Sequence, residues 1–134
     1  MKKSRLRKKG KSELSKLQAQ LWVLCKKIIR KKYENECYTC GKKGLAGYDW
    51  QTGHMLPKAS VGAFLKYDIR ILRPQCSVCN LWRNGEGAEF LRRMIIREGQ
   101  EYVDQIFRDK ALTVKAIDHY RMLIEKYKIM EGEL

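Results

Sequence analysis

Four of the five cysteines stand in two matched pairs, Cys37-Tyr-Thr-Cys40 and Cys76-Ser-Val-Cys79. Two residues between the cysteines let both sulfurs of a pair reach one ion from a single tight turn, and four thiolates complete the tetrahedral shell of a structural Zn²⁺. The 35 residues between the pairs exceed the span of a minimal zinc ribbon, so a functional element is expected inside the frame. Disulfides are the competing use of the same residues. The basic N-terminus has no apolar stretch behind it that would serve as a signal-peptide core, which points to the cytoplasm, where thiols stay reduced. Cys25, alone on an apolar helix face, reads as a small buried hydrophobe.

The chain has two histidines, and only one lies within the frame. His54, in Thr52-Gly53-His54-Met55-Leu56-Pro57, sits where a metal-stapled loop can hold an imidazole rigidly, either for catalysis or as a loop hydrogen bond. His119 falls between the apolar positions of a late helix and reads as packing or surface. Asn80 follows the fourth cysteine directly, and Asn84 lies four residues on, so in a helix their amides share one face. Asn is a poor helix former, and this pair suggests capping or ligation.

The elements that must position these groups follow from apolar periodicity. Leu14, Leu17, Leu21, Leu24, Cys25 and Ile28 predict an amphipathic helix over 12–33, with Ser12 as N-cap. Short strands are expected around 45–52 and 68–72, joined by a loop containing Pro57 and Gly62, and a helix is expected to start at Asn80. After Gly87 three apolar stripes predict three helices, broken at Gly99 and at 110–113, with the last four residues frayed.

The 134 residues carry 29 Lys and Arg against 15 Asp and Glu, a formal net charge of +14. Residues 1–32 hold 13 of those bases and one of the acids, so +12 of the charge lies ahead of the first cysteine pair. A block of one sign at one end is an electrostatic footprint for a polyanion, because each base that neutralises a phosphate releases a counterion. Lys2, Lys3, Arg5, Arg7, Lys8, Lys9 and Lys11 form an arm expected to be disordered until it binds. Lys26, Lys27 and Arg30 continue the basic surface along the first helix. Lys58, Arg73 and Arg83 are candidate clamps for a phosphate. The arm lacks the apolar face of an interfacial helix, and no window is long and apolar enough to span a bilayer, so no membrane partner is expected.

The run Cys37-Tyr-Thr-Cys40, Gly53-His54-Met-Leu-Pro57, Leu65-Lys-Tyr-Asp68 and Arg73-Pro-Gln-Cys76-Ser-Val-Cys79-Asn80 resembles the lambdoid-phage NinG (Rap) recombination family. More widely it is similar to the zinc-bound His-Asn-His, or ββα-metal, endonucleases. The resemblance covers about residues 15–110. It implies a hairpin and a helix closed around one catalytic Mg²⁺ or Mn²⁺ beside the structural Zn²⁺. His54 would be the general base and Asn80 a ligand of the catalytic cation. The wider superfamily often places Asp or His just before the base, where this chain has Gly53. Asp49, Asn84 or water would replace that ligand. A middle Asn that braces the base loop elsewhere corresponds here to Ile71.

Together these readings predict an α+β protein with a small zinc-bound ββα-metal core. A basic helix (12–33) precedes the zinc-framed core (34–87), and helices (88–130) follow it, in a single domain after the arm (1–11). The expected activity is metal-dependent cleavage of branched DNA, in the host cytoplasm if the chain is phage-encoded, with a homodimer as one assembly. A zinc-stapled module that binds DNA or recruits recombination factors without catalysis is the alternative.

Overall fold

The structure, a computed structural model, describes residues 12–134. Lys2, Lys3, Arg5, Arg7, Lys8, Lys9 and Lys11, and the arm expected there, lie outside the described residues. At Ser12 the side chain accepts a hydrogen bond from the Ser15 N–H at 3.2 Å, the N-cap that the sequence predicts. Helix α1 (Glu13–Lys32) follows, with Glu13 in its first turn and Arg30, Lys31 and Lys32 in its last, each charge suited to its end of the helix dipole. Leu21, Cys25, Ile28 and Ile29 form its buried face.

The hairpin is shorter and later in the chain than the alternation of residue types suggests. Strand β1 (Gln51–His54) pairs antiparallel with β2 (Leu72–Gln75), Gln51 opposite Gln75 and His54 opposite Leu72. Much of the expected first strand folds instead as a 3-10 turn over Gly47–Asp49. The expected second strand is displaced by another such turn, Ile69–Ile71, which Asp68 starts by accepting the Arg70 N–H at 2.9 Å. Pro74 lies within β2, where a two-stranded sheet leaves one side of the strand free and the missing N–H costs no ladder bond. Its carbonyl accepts the Tyr38 N–H at 2.9 Å, tying the hairpin to the first cysteine turn. Between the strands stands a single helical turn, α2 (Ala63–Lys66).

The helix expected at Asn80 is only one wide turn, Val78–Trp82, closed by the Arg83 N–H donating to the Val78 carbonyl five residues back. Asn84 and Glu86 (both φ 52°) and Gly85 (φ 83°) then take left-handed backbone and end it. Helices α3 (Gly87–Glu98) and α4 (Gln100–Asp109) are split at Gly99, whose φ of 96° suits glycine. Helix α5 (Ala116–Glu133) continues through the residues expected to fray.

Helices α1 and α5 pack together and run the same way, with Glu13 paired to Arg121 near their starts and Lys31 to Glu131 near their ends. Their buried faces join Phe90, Met94, Val103 and Ile106 from α3 and α4, and Ile71 and Leu72 from the hairpin, in one core. Tyr127 of α5 secures the loop before β2: its hydroxyl donates to the Tyr67 carbonyl at 2.7 Å and accepts the Ile69 N–H. Among the described residues no helix is long and apolar enough to cross a membrane.

Candidate metal frame and the adjoining cleft

The two cysteine turns meet at the far end of the hairpin. The sulfurs of Cys37, Cys40, Cys76 and Cys79 all lie within 4.8 Å of one another, and all four are free thiols. With Zn–S bonds of about 2.3 Å, a tetrahedral shell places its sulfurs roughly 3.8 Å apart. The Cys40 and Cys76 sulfurs stand at 3.7 Å, so the set fits a zinc ion. Burial raises the Cys37 thiol, but hydrogen bonds from Thr39 and from backbone groups of Cys76, Cys40 and Thr39 outweigh it and hold the group at about 6. Burial prevails at Cys79, pushed up to about 12. A bound dication would supply the charge that lets the remaining thiols ionise together.

Behind the sulfurs lies a set of polar groups whose part is not visible in any motif. Thr39 Oγ1 and Cys37 Sγ share a hydrogen bond at 3.5 Å. Gln75 Nε2, fully buried, donates to Thr39 Oγ1 at 3.0 Å and to the Gly85 carbonyl at 2.8 Å. One side chain thus connects the first cysteine turn to the loop that carries Asn84. The same side chain explains Gly53, because a Cβ there would sit 1.7 Å from Gln75 Oε1. The residue before His54 is therefore glycine for close packing, and the space a ligating side chain would need is filled.

Beside the frame opens a cleft of about 260 Å³ lined by His54, Asn80 and Asn84, with Trp22, Thr52 and Lys58 among its other walls. His54 ends β1 and stacks on Trp22 of α1, ring centroids 5.2 Å apart. Its Nε2 is buried and has no hydrogen-bond partner among the described residues. Burial and the nearby Lys58 and Lys66 charges lower its pKa to about 4, against a pull upward from the Lys66 backbone. The imidazole is therefore neutral at physiological pH. Asn80 Nδ2 donates to Gln51 Oε1 at 2.8 Å, which leaves its carbonyl oxygen as the group available to a cation.

The remaining predicted residues divide. Lys58 lines the cleft with its ammonium 4.2 Å from the Trp22 ring centroid. Lys26, Lys27 and Arg30 are exposed along α1, and Arg83 is exposed and paired with Glu86 at 3.7 Å. Asp49 is not a wall of the cleft. It pairs with Lys42 and accepts from the Ser77 N–H and hydroxyl at 2.9 and 2.7 Å, and these contacts hold its carboxyl at about 2. It joins the two cysteine turns.

Arg73 is a correction. As a phosphate clamp it would need to be exposed, yet it is wholly buried, donating to the Leu72 carbonyl at 2.7 Å, paired with Glu98 at 3.3 Å and stacked on Tyr33. Its charge secures β2 against α3. Ile71 is buried and acts through its backbone, its carbonyl accepting the Met55 N–H at 2.8 Å. His119 packs on Phe64, as its place between apolar positions suggests. Nothing in the spacing marks Trp22, Thr39 or Gln75 as functional, since each acts as a single residue and only the contacts across the fold reveal its part.

A helical protein with one two-stranded hairpin, a four-cysteine frame fit for zinc and a histidine cleft beside it is the class these features define. The family model described as "Bacteriophage Lambda NinG protein" matches residues 1–133, and the chain belongs to that family. It is 30% identical over 92 residues to Protein ninG of Escherichia phage 933W, covering 69% of this chain and 44% of that protein. With Protein ninG of Escherichia phage lambda it shares 30% identity over 97 residues, 72% of this chain and 43% of the relative. The matched region thus spans less than half the length of these curated relatives. No solved structure matches the chain.

Proposed function

We propose that this chain is a metal-dependent DNA endonuclease of phage recombination, acting on branched DNA such as junctions and D-loops in the host cytoplasm. The observation that carries the reading is the convergence of His54, Asn80 and Asn84 on one cleft beside the four-cysteine frame. A neutral imidazole on the wall of that cleft is suited to take a proton from water attacking a phosphodiester. Trp22 holds the ring plane, and the hairpin sets its depth. A Mg²⁺ or Mn²⁺ in the cleft would stabilise charge on the scissile phosphate and on the leaving oxygen. Asn80, with Asn84 and waters, would hold it, and the DNA phosphate would supply the anionic ligands that such ions ordinarily require. Lys58 stands at the cleft to meet the phosphate, and Lys26, Lys27, Arg30 and the residues before Ser12 supply salt-dependent grip. Cutting both strands of a symmetric branch favours a homodimer.

The test uses purified protein with a four-way junction, a nicked duplex and a linear duplex, with Mg²⁺, with Mn²⁺ and without either, alongside His54→Ala. Metal-dependent cutting of the junction that falls at least about a hundredfold in His54→Ala is expected, the range of general-base catalysis. Equal cutting by the variant, or none by the wild type in either metal, overturns the assignment. A second reading, a zinc-stapled module that binds DNA or recruits recombination factors without catalysis, has one observation in its favour: none of the residues lining the cleft is a carboxylate.

A further inference from the structure

The His54 cleft does not end at Asn80. Trp22, Thr52 and Asn80 also line a neighbouring groove of about 350 Å³, whose further walls include Lys26, Arg30, Tyr48 and Trp50. The volume is in the range of pockets that hold small ligands. Three aromatic side chains and two cations surround it, and none of its lining residues is acidic.

These groups are arranged rather than scattered. Arg30 is fixed in place by donating to the Trp50 carbonyl at 2.7 Å and by lying over the Trp50 ring at 4.5 Å. Lys26, one helical turn before it on α1, has its ammonium 6.0 Å from the Trp22 centroid and no acidic partner among the described residues. Tyr48 stands on the 3-10 turn before β1 and is 76% exposed. Burying an aromatic of that size is favourable, so a tyrosine held open on a groove wall contributes little to the fold and presents its face to a ligand.

A ligand for this groove must offer both a flat π face and negative charge. Paired bases in a duplex present edges and phosphates, with their faces covered by their neighbours. An unpaired nucleotide presents the face as well, and stacking on aromatic side chains beside a basic track is how single strands are bound without regard to sequence. We infer that the groove binds an unpaired nucleotide of single-stranded DNA, its base stacked against Tyr48 and its phosphate at Lys26. The strand then continues past Trp22 and Asn80 into the His54 cleft. The chain would thereby recognise those branches, such as a D-loop, that carry an unpaired strand. This assignment rests on the endonuclease reading for what lies next door, but binding at the groove needs no cleavage.

The experiment measures binding of the full zinc-loaded chain to labelled oligothymidine and to a blunt duplex with the same number of phosphates. No Mg²⁺ or Mn²⁺ is added, and wild type is compared with Tyr48→Ala, Tyr48→Phe and Lys26→Ala. Tyr48→Ala is expected to weaken oligothymidine binding about tenfold, the scale of one lost base stack, while duplex binding holds and Tyr48→Phe binds like wild type. Lys26→Ala is expected to lower the salt dependence of oligothymidine binding. Tryptophan fluorescence is expected to fall when oligothymidine binds. Unchanged oligothymidine affinity in Tyr48→Ala, or equal losses for both DNAs in a variant with an unaltered thermal melt, overturns the groove. The outcomes separate from those of the nuclease test. A chain that cuts no junction but loses oligothymidine in Tyr48→Ala keeps the groove and loses the enzyme. One that cuts junctions through His54 but ignores Tyr48→Ala keeps the enzyme and loses the groove.

Discussion

Between α1 and α5 the core buries Leu21, Ile28, Tyr120, Ile124 and Tyr127 against one another, and α3 and α4 add Phe90, Met94 and Ile106. At the other end, the cluster around Cys37, Cys76 and Cys79 buries Leu45 alone among the larger aliphatic residues, with Trp50 partly covered. Each fully buried aliphatic or aromatic side chain contributes about 1.5–3 kcal/mol. The helical part can therefore order itself by apolar burial, whereas the frame cannot, and a two-stranded hairpin is marginal in isolation. His54 and Asn80 belong to elements the frame organises, and Trp22 belongs to the helical core. The cleft is the seam between a part held by hydrocarbon and a part whose four cysteines are placed to be held by an ion.

The largest effect expected from this difference is loss of the ion. Cys76→Ser, or zinc removal with a strong chelator, should release the frame and the end of the hairpin next to it, because structural zinc in small domains contributes on the order of 10 kcal/mol or more to folding. Far-ultraviolet circular dichroism should keep most of its helical signal from α1 and α3–α5. Amide exchange should accelerate most in the cysteine turns and the segments beside them, 40–50 and 76–85, and elemental analysis should fall from about one zinc per chain to none. A global collapse of helicity on the same treatment would show that the two parts are not separately held.

Arg73 tests the seam from the other side. Its guanidinium, buried and paired with Glu98, donates to the carbonyls of Ile69, Arg70 and Leu72 and to the Tyr102 hydroxyl. Arg73→Ala takes the side-chain donor from the Ile69 and Leu72 carbonyls and the partner from Glu98, leaving only the Arg70 carbonyl with another donor, the Tyr102 hydroxyl at 3.1 Å; it should cost about 3–5 kcal/mol in urea unfolding, the range for breaking a buried charged pair. Affinity for duplex DNA, measured at a temperature where the variant remains folded, should be unchanged.

The same residue shows where the sequence is legible. Helical periodicity with Ser12, Gly99 and the break at 110–113 locates four helices closely, because their apolar faces meet one core and local chemistry sets their ends. The Cys-x-x-Cys spacing locates the frame for a similar reason, since it reflects the geometry of one ion. Arg73 misleads because arginine is ordinarily a surface residue, and its burial depends on Tyr33, Tyr102 and Glu98, all distant in sequence. The second strand shifts because Asp68 captures the Arg70 N–H and converts an alternating run into a turn, while Pro74 is tolerated in β2 because its position needs no N–H in the ladder with β1. Trp22 falls outside the apolar stripe of α1, and its purpose is visible only when His54 stacks on it. The single wide turn at Asn80 is set by three successive left-handed residues, two of them not glycine, which no propensity would anticipate.

A smaller effect falls on the seam itself. His54 is held at about 4 by burial and by Lys58 and Lys66, well below the ordinary histidine value of about 6.5. Between pH 6.5 and 4 the unfolded chain binds a proton that the folded chain rejects, so stability falls as pH drops through that window and the full difference is present only above it. From pH 7 to pH 4.5 this proton should cost about 2–3 kcal/mol. Carboxylates and thiols titrate over part of the same range, so the measurement is a difference: urea unfolding of wild type and of His54→Gln at both pH values, with zinc content checked in each sample. Wild type should lose about 2–3 kcal/mol more than the variant, since effects common to both cancel. Equal losses would mean that partial burial and the Lys58 and Lys66 charges do not hold the imidazole neutral. In that case Trp22 would supply the helical part's wall to the cleft without setting the protonation state of the base beside it.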